Sequence, residues 1–433
     1  MCYAIPGKVE SINEKTVTVS YFGETKKAIN ELHDLRPGDY IYAQGGYVIE
    51  KIPAEQAEDI LQTWKEVFFD LQDLDLRLSR LDLQDKNIDP GLLRILDRAL
   101  EEKPLKKEEL LYLLDLKGHP EQELLFKAAN FLRQKYHKNA CCVHGIIEIS
   151  NYCRRNCAYC GIAGHVKGLE RYRMTPGEIV GASLEAIEKY GFRALVLQSG
   201  EDPGYTIKEL AGVIKEIKAK AAVLIFISFG EMPEKDLVEL YQAGARGLLL
   251  RFETSNPILY DKLHTGHSLE SRLDTLRAAR RLGYVIITGG LLGLPGQTYV
   301  DILNDLYLTK ELGATMFSFG PLIPHPLTEL ATAPMPREKE ILKVLALARF
   351  IDPQNANVVV TTGFETLSPT GRKRGLLAGA NSVMLNLTPI KYRRLYSIYP
   401  NRAHEQEGIA EQVRDTVSLL QSIGRAPTDL GVT

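Results

Sequence analysis

Three of the chain's six cysteines fall within eight residues, Ser150-Asn151-Tyr152-Cys153-Arg154-Arg155-Asn156-Cys157-Ala158-Tyr159-Cys160-Gly161, spaced C-x-x-x-C-x-x-C. The preceding Gly145-Ile146-Ile147-Glu148-Ile149-Ser150 reads as a short buried strand, which puts the thiols in a loop at a strand end. Three thiolates supply all but one of the ligands of a cubane 4Fe-4S cluster, leaving one iron open to a ligand that is not cysteine. The same residue types also serve a structural zinc site, with His165 nearby, or a redox dithiol. A zinc knuckle normally sits in its own small domain, whereas this loop opens a long array of alternating strands and helices, a context that favours the cluster.

At 433 residues the chain exceeds one ordinary compact domain unless a barrel takes most of it. A net charge of −2 argues against general nucleic-acid binding. No apolar run is long enough to span a bilayer, and MCYAIPGKVE has no signal-peptide pattern. Clustered cysteines do not make a disulfide framework, so the expected compartment is the reducing cytoplasm.

Residues 1 to about 52 alternate short β-type runs (17–22, 40–43, 47–52) with turns at Gly23, Pro37-Gly38-Asp39 and Gly45-Gly46, which suggests a small barrel of the OB type. From Pro53 to Phe69 the pattern turns helical, with Ala57, Ile60, Leu61, Trp64 and Val67 on one face. Met1-Cys2-Tyr3-Ala4-Ile5-Pro6-Gly7-Lys8-Val9, Leu35-Arg36-Pro37-Gly38-Asp39-Tyr40 and the trailing helix together resemble HypC, the small chaperone of nickel–iron hydrogenase maturation. That resemblance implies an iron ligand at Cys2 and a histidine near position 44, where Gln44 stands. Residues 70–140 read as helices, with Pro90 starting one and Pro104 and Gly118-His119-Pro120 interrupting others. The expected units are 1–75, a HypC-like barrel with its helix; 76–140, a helical linker; and 141–433, the main catalytic unit. Vicinal Cys141 and Cys142 point to opposite sides of a strand and read as packing residues.

From 144 onward, strand candidates at 144–149, 194–198, 222–228, 246–251, 284–290, 315–319, 357–362 and 382–386 alternate with helices, which fits a closed (β/α)8 barrel. A doubly wound open sheet is the alternative. A helix near 406–423 closes the unit, followed by a polar tail. Function in such a barrel sits at the C-terminal strand ends. Unusual polar groups stand there, in Gln198-Ser199-Gly200-Glu201-Asp202, Arg251-Phe252-Glu253-Thr254 and Gly320-Pro321-Leu322-Ile323-Pro324-His325. A zwitterionic, ribose-bearing ligand wants a guanidinium fork for its carboxylate, acceptors for its hydroxyls and apolar walls for its base. Arg272, Glu253 and Gln198 suit the polar roles, and Leu322 and Ile323 the walls. His264 and His267 read as surface or capping residues, His325 as shaping its loop, and Arg393-Arg394 as solvated.

The cysteine spacing with Tyr159 before the last thiol resembles the signature of radical S-adenosylmethionine (SAM) enzymes. With Arg171-Tyr172-Arg173-Met174-Thr175, Gly293-Leu294-Pro295-Gly296-Gln297, Tyr392-Arg393-Arg394-Leu395-Tyr396 and the strand-end strings above, roughly residues 90–425 resemble HydE, the radical SAM maturases of FeFe-hydrogenase. The resemblance implies a biotin-synthase-like barrel with a large internal cavity and one 4Fe-4S cluster on Cys153, Cys157 and Cys160. Its open iron binds SAM, and the cluster generates a 5'-deoxyadenosyl radical. Tyr159, Gln198, Glu253, Arg272, Leu322 and Ile323 would face SAM, while Arg251, Thr361, Thr362, Met384, Tyr396 and Tyr399 would line the substrate cavity. The implied substrate is an iron complex bearing CO, cyanide and cysteine; the implied partners are an electron donor and other hydrogenase maturation proteins. Residues 400–425 contain no cysteine, so the second cluster of many members is not expected there. Two other functions share these motifs: a methylornithine-synthase- or biotin-synthase-like enzyme with another small substrate, and a carrier that binds an iron fragment without turnover.

Overall fold

The computed structural model describes residues 5–83 and 88–430; Cys2 lies outside them. Five strands, β1 (Gly7–Asn13), β2 (Thr16–Tyr21), β3 (Glu24–Ile29), β4 (Tyr40–Gln44) and β5 (Tyr47–Ile52), close a small barrel in the order β1-β2-β3-β5-β4. Val9, Val17, Val19, Ile41 and Val48 fill it, and along β1 and β2 the buried residues alternate with more exposed ones as a pleat requires. Helix α1 (Ala54–Leu78) is longer than the sequence pattern predicts. Its buried face passes from Ala57 to Phe68 and Leu71, while Val67, expected inside, is 43% exposed. A row of positions three and four apart drifts around a helix this long.

Helices α2 (Pro90–Leu100), α3 (Lys107–Asp115) and α4 (His119–His137) come next. Pro90 occupies the first turn of α2, behind the Asp89 side chain, which accepts from Gly91 N. Charge ties the small barrel's helix to α4 and to the C-terminal tail. Asp75 of α1 receives Arg133 of α4 at 2.6 Å and Arg425 at 3.0 Å, all three at most 1% exposed.

The main unit runs β6 (Ala140–Ser150), α5 (Pro176–Glu188), β7 (Ala194–Ser199), α6 (Ile207–Lys220), β8 (Leu224–Ser228), α7 (Glu234–Ala243), β9 (Ala245–Leu249), α8 (Pro257–Leu263), α9 (Leu269–Arg281), β10 (Val285–Thr288), β11 (Leu291–Leu292) and α10 (Tyr299–Glu311). It continues with β12 (Met316–Phe317), β13 (Gly320–Pro321), α11 (Glu338–Ile351), β14 (Asn357–Val360), α12 (Thr362–Leu367), α13 (Gly371–Leu377), β15 (Ser382–Asn386), α14 (Ile390–Arg393), α15 (Ile409–Ser422) and β16 (Ala426–Pro427). Strands β6, β7, β8, β9, β10, β12, β14 and β15 pair in parallel, and β15 returns to β6 with Met384 opposite His144, so the sheet closes into the expected (β/α)8 barrel. Each expected strand is present; those expected at 246–251, 284–290, 315–319 and 357–362 end earlier, where residues leave the ladder for the mouth, and β6 begins four residues before its expected start.

The tail expected to be polar is buried. Arg425, Thr428 and Asp429 are at most 1% exposed, and β16 pairs with the start of β6, Ala426 opposite Ala140. The small barrel seats against this same N-terminal end of the large one. Tyr47 donates to Gly283 O at 2.8 Å, Gln44 donates to Thr428 O, and Arg193 and Arg246 pair with Glu50 and Glu31. Among the described residues, no helix is long and apolar enough to cross a membrane.

Candidate active site

The cysteine loop leaves β6 at the barrel's C-terminal mouth and has no regular secondary structure of its own. Neighbouring chain ends hold it by backbone hydrogen bonds: Arg154 N donates to Glu201 O, Ala158 N to Leu263 O, and Gly161 N to Ile398 O, at 2.9–3.0 Å. Two glycines permit this closeness. A Cβ on Gly200 would stand 2.3 Å from Tyr152 O, and one on Gly161 2.2 Å from Ser397 O. Burial raises the thiol pKa values of all three loop cysteines, that of Cys157 to about 12. A bound metal would draw off their protons.

One tetrahedral zinc would need the three sulfurs about 3.8 Å apart, given a Zn–S distance of about 2.3 Å. Among the described residues, the metal-capable triad whose ligand atoms all lie within 4.8 Å of one another is a different set, Cys142, His144 and Asp429. The three loop thiols are not gathered that closely, so as placed they are not a single ion's ligand set.

A chain of charge organises the mouth. Glu201 at the end of β7 accepts from Arg155, and Arg155 also lies 3.3 Å from Glu231 after β8. Glu231 in turn accepts from Arg272 of α9 at 3.0 Å, and Arg272 donates to Arg251 O at 2.8 Å. Arg272 is thus buried beside the loop, and its charge acts on the Cys157 thiol.

Below the loop lies a cavity of about 270 Å³. Of the residues singled out from the sequence, Tyr159, Cys160, Gln198, Arg251, Glu253, Leu322, Ile323, Thr361, Thr362, Met384 and Tyr399 line it. Tyr396 stands behind this wall, its hydroxyl accepting from Gln198 at 3.4 Å. Cys153, Cys157 and Arg272 sit outside the lining, around the mouth.

Glu253 is the most constrained of these residues. Its φ is +69, a left-handed value that costs a side-chain-bearing residue energy. Its backbone is locked between Gly289 O and Leu291 N, at 3.2 and 2.9 Å. Its Oε1 lies 3.3 Å from Arg251, while Oε2 is buried with no partner. Such an orphan acceptor, aimed into a cavity and held by backbone strain, suits a ligand hydroxyl.

Sequence reasoning missed the two other charged lining residues. Glu148 on β6 is 1% exposed and is forked by Arg402, which comes from the loop before α15. A carboxylate inside an apolar strand was the available signal for Glu148; nothing local marked Arg402. Two other expectations hold only in part. His264 caps the end of α8 but is buried, with Nε2 3.1 Å from Tyr159 Oη, so it props the loop rather than meeting solvent. Arg393 is 1% exposed and donates to the carbonyls of Thr388, His404 and Glu407, whereas Arg394 is exposed as expected. His325 shapes its loop, accepting from Leu327 N at 3.2 Å.

Among known proteins, residues 147–308 match the radical SAM superfamily, and residues 1–64 the HupF/HypC family. Over 76% of its length the chain is 40% identical to the [FeFe] hydrogenase maturase subunit HydE of Thermotoga maritima, covering 93% of that protein. The chain belongs to the HydE family of radical SAM hydrogenase maturases. A HypC-type module is fused to its N-terminus. It is also 26% identical to the 3-methylornithine synthase of Methanosarcina acetivorans, across 76% of this chain and 93% of that one. The crystal structure of methylornithine synthase (PylB) superposes with a TM-score of 0.69 at 25% identity, covering 77% of this chain and 97% of that one. HydE membership implies a 4Fe-4S cluster and SAM, and the three thiols of one loop and the orphan Glu253 oxygen fit that pair.

Proposed function

We propose that the chain is a HydE-type maturase acting on an iron complex that carries CO, cyanide and cysteine. Cys153, Cys157 and Cys160 would hold the cluster and leave its fourth iron to the amino and carboxylate groups of SAM. The cluster, when bound, supplies one electron to the sulfonium and so a 5'-deoxyadenosyl radical, which the cysteine sulfur of the substrate takes up. Arg272 offers charge to the SAM carboxylate, Glu253 Oε2 accepts from the ribose, Gln198 supplies an amide, and Leu322 and Ile323 wall the adenine. Further in, Arg251 faces the anionic complex with the hydroxyls of Thr361, Thr362 and Tyr399, and Met384 closes the cavity floor.

The observation that carries this reading is the order along one inward face of β6. Glu148 and Ile146 lie inside the cavity directly below the loop that begins after Ser150, so any molecule there is within reach of the loop. The Glu148–Arg402 pair offers a carboxylate and a guanidinium, the set an amino acid wants. It fits the cysteine of the iron complex as well as it fits an ornithine-type substrate, so it does not separate the two. The fused module's place in the pathway is an iron-delivery role, tested by Cys2→Ala: unchanged maturation removes it.

The deciding experiment gives the anaerobically reconstituted chain dithionite, SAM and either the synthetic iron–cysteine complex or free amino acids. Adenosyl products that depend on the complex support the proposal. Products that appear with an amino acid alone assign the chain to the methylornithine-synthase-like reading, and binding of the complex without products assigns it to the carrier reading.

A further inference from the structure

The opposite end of the barrel holds a second chamber, of about 210 Å³, enclosed between the large barrel and the fused small one. Inward-facing positions on β6 alternate Cys142, His144, Ile146, Glu148, so one strand face runs from this chamber up to the proposed substrate cavity. One layer of apolar side chains, among them Ile287, Met316 and Val359, separates the two. The tail adds Thr428 and Asp429, and the small barrel's Gln44-Gly45-Gly46 turn closes the chamber. Gly45 has φ +54, and a Cβ there would stand 2.6 Å from Leu224, so the turn is pressed against the large barrel's strands.

Cys142, His144 and Asp429 present a thiol, an imidazole and a carboxylate whose ligand atoms all lie within 4.8 Å of one another. They are 6%, 4% and 1% exposed. The carboxylate is oriented from behind: Asp429 Oδ2 accepts from Val143 N at 3.0 Å and from Thr428 Oγ1 at 2.9 Å. His144 Nε2 lies 3.5 Å from that oxygen, and Nδ1 is buried with no partner. The ring is set against Phe226, centroids 5.2 Å apart. The unpartnered ring nitrogen leaves His144, which lines the chamber, with capacity for a further ligand there. Three mixed sulfur, nitrogen and oxygen donors with an open fourth side match the ligand set of open divalent-metal sites. The soft thiolate selects a transition ion over magnesium or calcium.

We propose that Cys142, His144 and Asp429 form a binding site for one divalent transition-metal ion of the zinc or ferrous class, at the junction of the two modules. The site is separate from the cysteine loop and does not rest on the radical reading. It also revises the sequence view of Cys142 as a packing residue, while Cys141 remains one, facing the outer core. Closing the triad onto an ion asks ligand atoms now up to 4.8 Å apart to approach to about 3.3–3.8 Å, which side-chain rotation can supply.

The test loads the full-length, cluster-reconstituted chain with zinc, desalts it, and measures zinc and iron together with zinc K-edge absorption, which is blind to iron. The expected result is one retained zinc per chain, an inner shell of one sulfur with nitrogen and oxygen, and unchanged iron. Asp429→Asn and His144→Gln should weaken zinc retention at least roughly tenfold while iron content stays constant. No retained zinc, an all-oxygen shell, a shell of three sulfurs with loss of iron, or undiminished zinc in both variants overturns the proposal. The wild-type sulfur count decides the matter even if a variant fails to fold.

Discussion

Replacing Gly200 by alanine tests the structural claim on which the site depends. The added Cβ would lie 2.3 Å from Tyr152 O, 2.7 Å from Cys153 Cβ and 3.1 Å from Cys153 Cα. A carbon–oxygen contact normally stays beyond about 3.3 Å, so backbone must move by roughly 1 Å. These neighbours are backbone or sit directly on it, and no flexible side-chain end can yield. The cost expected for such overpacking is about 1–3 kcal/mol. The functional cost is larger than the energetic one, because ligand constellations tolerate displacements of only about 0.5 Å. Cys153 would shift while Cys157, held through the Cys157–His264 bridge, would not. Iron and acid-labile sulfide per chain after anaerobic reconstitution should drop to roughly half or less, with a heterogeneous resonance in the reduced protein. Gly181→Ala is the control: that glycine lies within α5 with nothing within 4 Å of its added Cβ. It should gain about 0.5–1 kcal/mol of stability and keep its cluster. If Gly200→Ala assembles a full, homogeneous cluster with an unchanged urea midpoint, the close-approach argument is wrong.

Glu253→Gln keeps the shape but removes the charge, so SAM affinity, read by titrating the reduced-cluster resonance, should weaken by about 1.5–3 kcal/mol, roughly 10- to 150-fold, at full cluster content. Arg402→Met strands Glu148 in the interior and should destabilise the chain by about 3–5 kcal/mol in anaerobic urea melts, with Glu148→Gln in the same chain restoring much of the loss. His404 is held above its ordinary pKa of about 6.5 by its hydrogen bond to Glu365, opposed by burial. Protonated His404 therefore stabilises the fold fully below that ordinary value, and the contribution disappears as pH rises through the elevated folded value. His404→Gln should flatten that part of the urea-midpoint profile, and an unchanged profile refutes the assignment.

Much of this molecule is legible locally. The eight strands, the cysteine loop and the strand-end residues Gln198, Glu253, Leu322 and Thr361 follow from alternation, turn chemistry and the rule that barrel function gathers at strand C-termini. These features depend on neighbours within a few residues, which is the range a sequence pattern reports. The misses involve partners far apart in the chain. Arg402 meets Glu148 across 254 positions, and Gln44 meets Thr428 across 384.

What the sequence by itself determined is the alternation of strands and helices, the thiol spacing and the chemistry each strand end can offer. Only the tertiary structure decided that a polar-looking tail turns inward to pair with β6, that His264 and Arg393 are buried props, and that Cys142 shares a chamber with His144 and Asp429. The physical reason is that polarity marks a residue's need for partners without saying where they come from. A buried charge or imidazole is stable wherever the fold satisfies it, and that satisfaction arrives from segments hundreds of residues away.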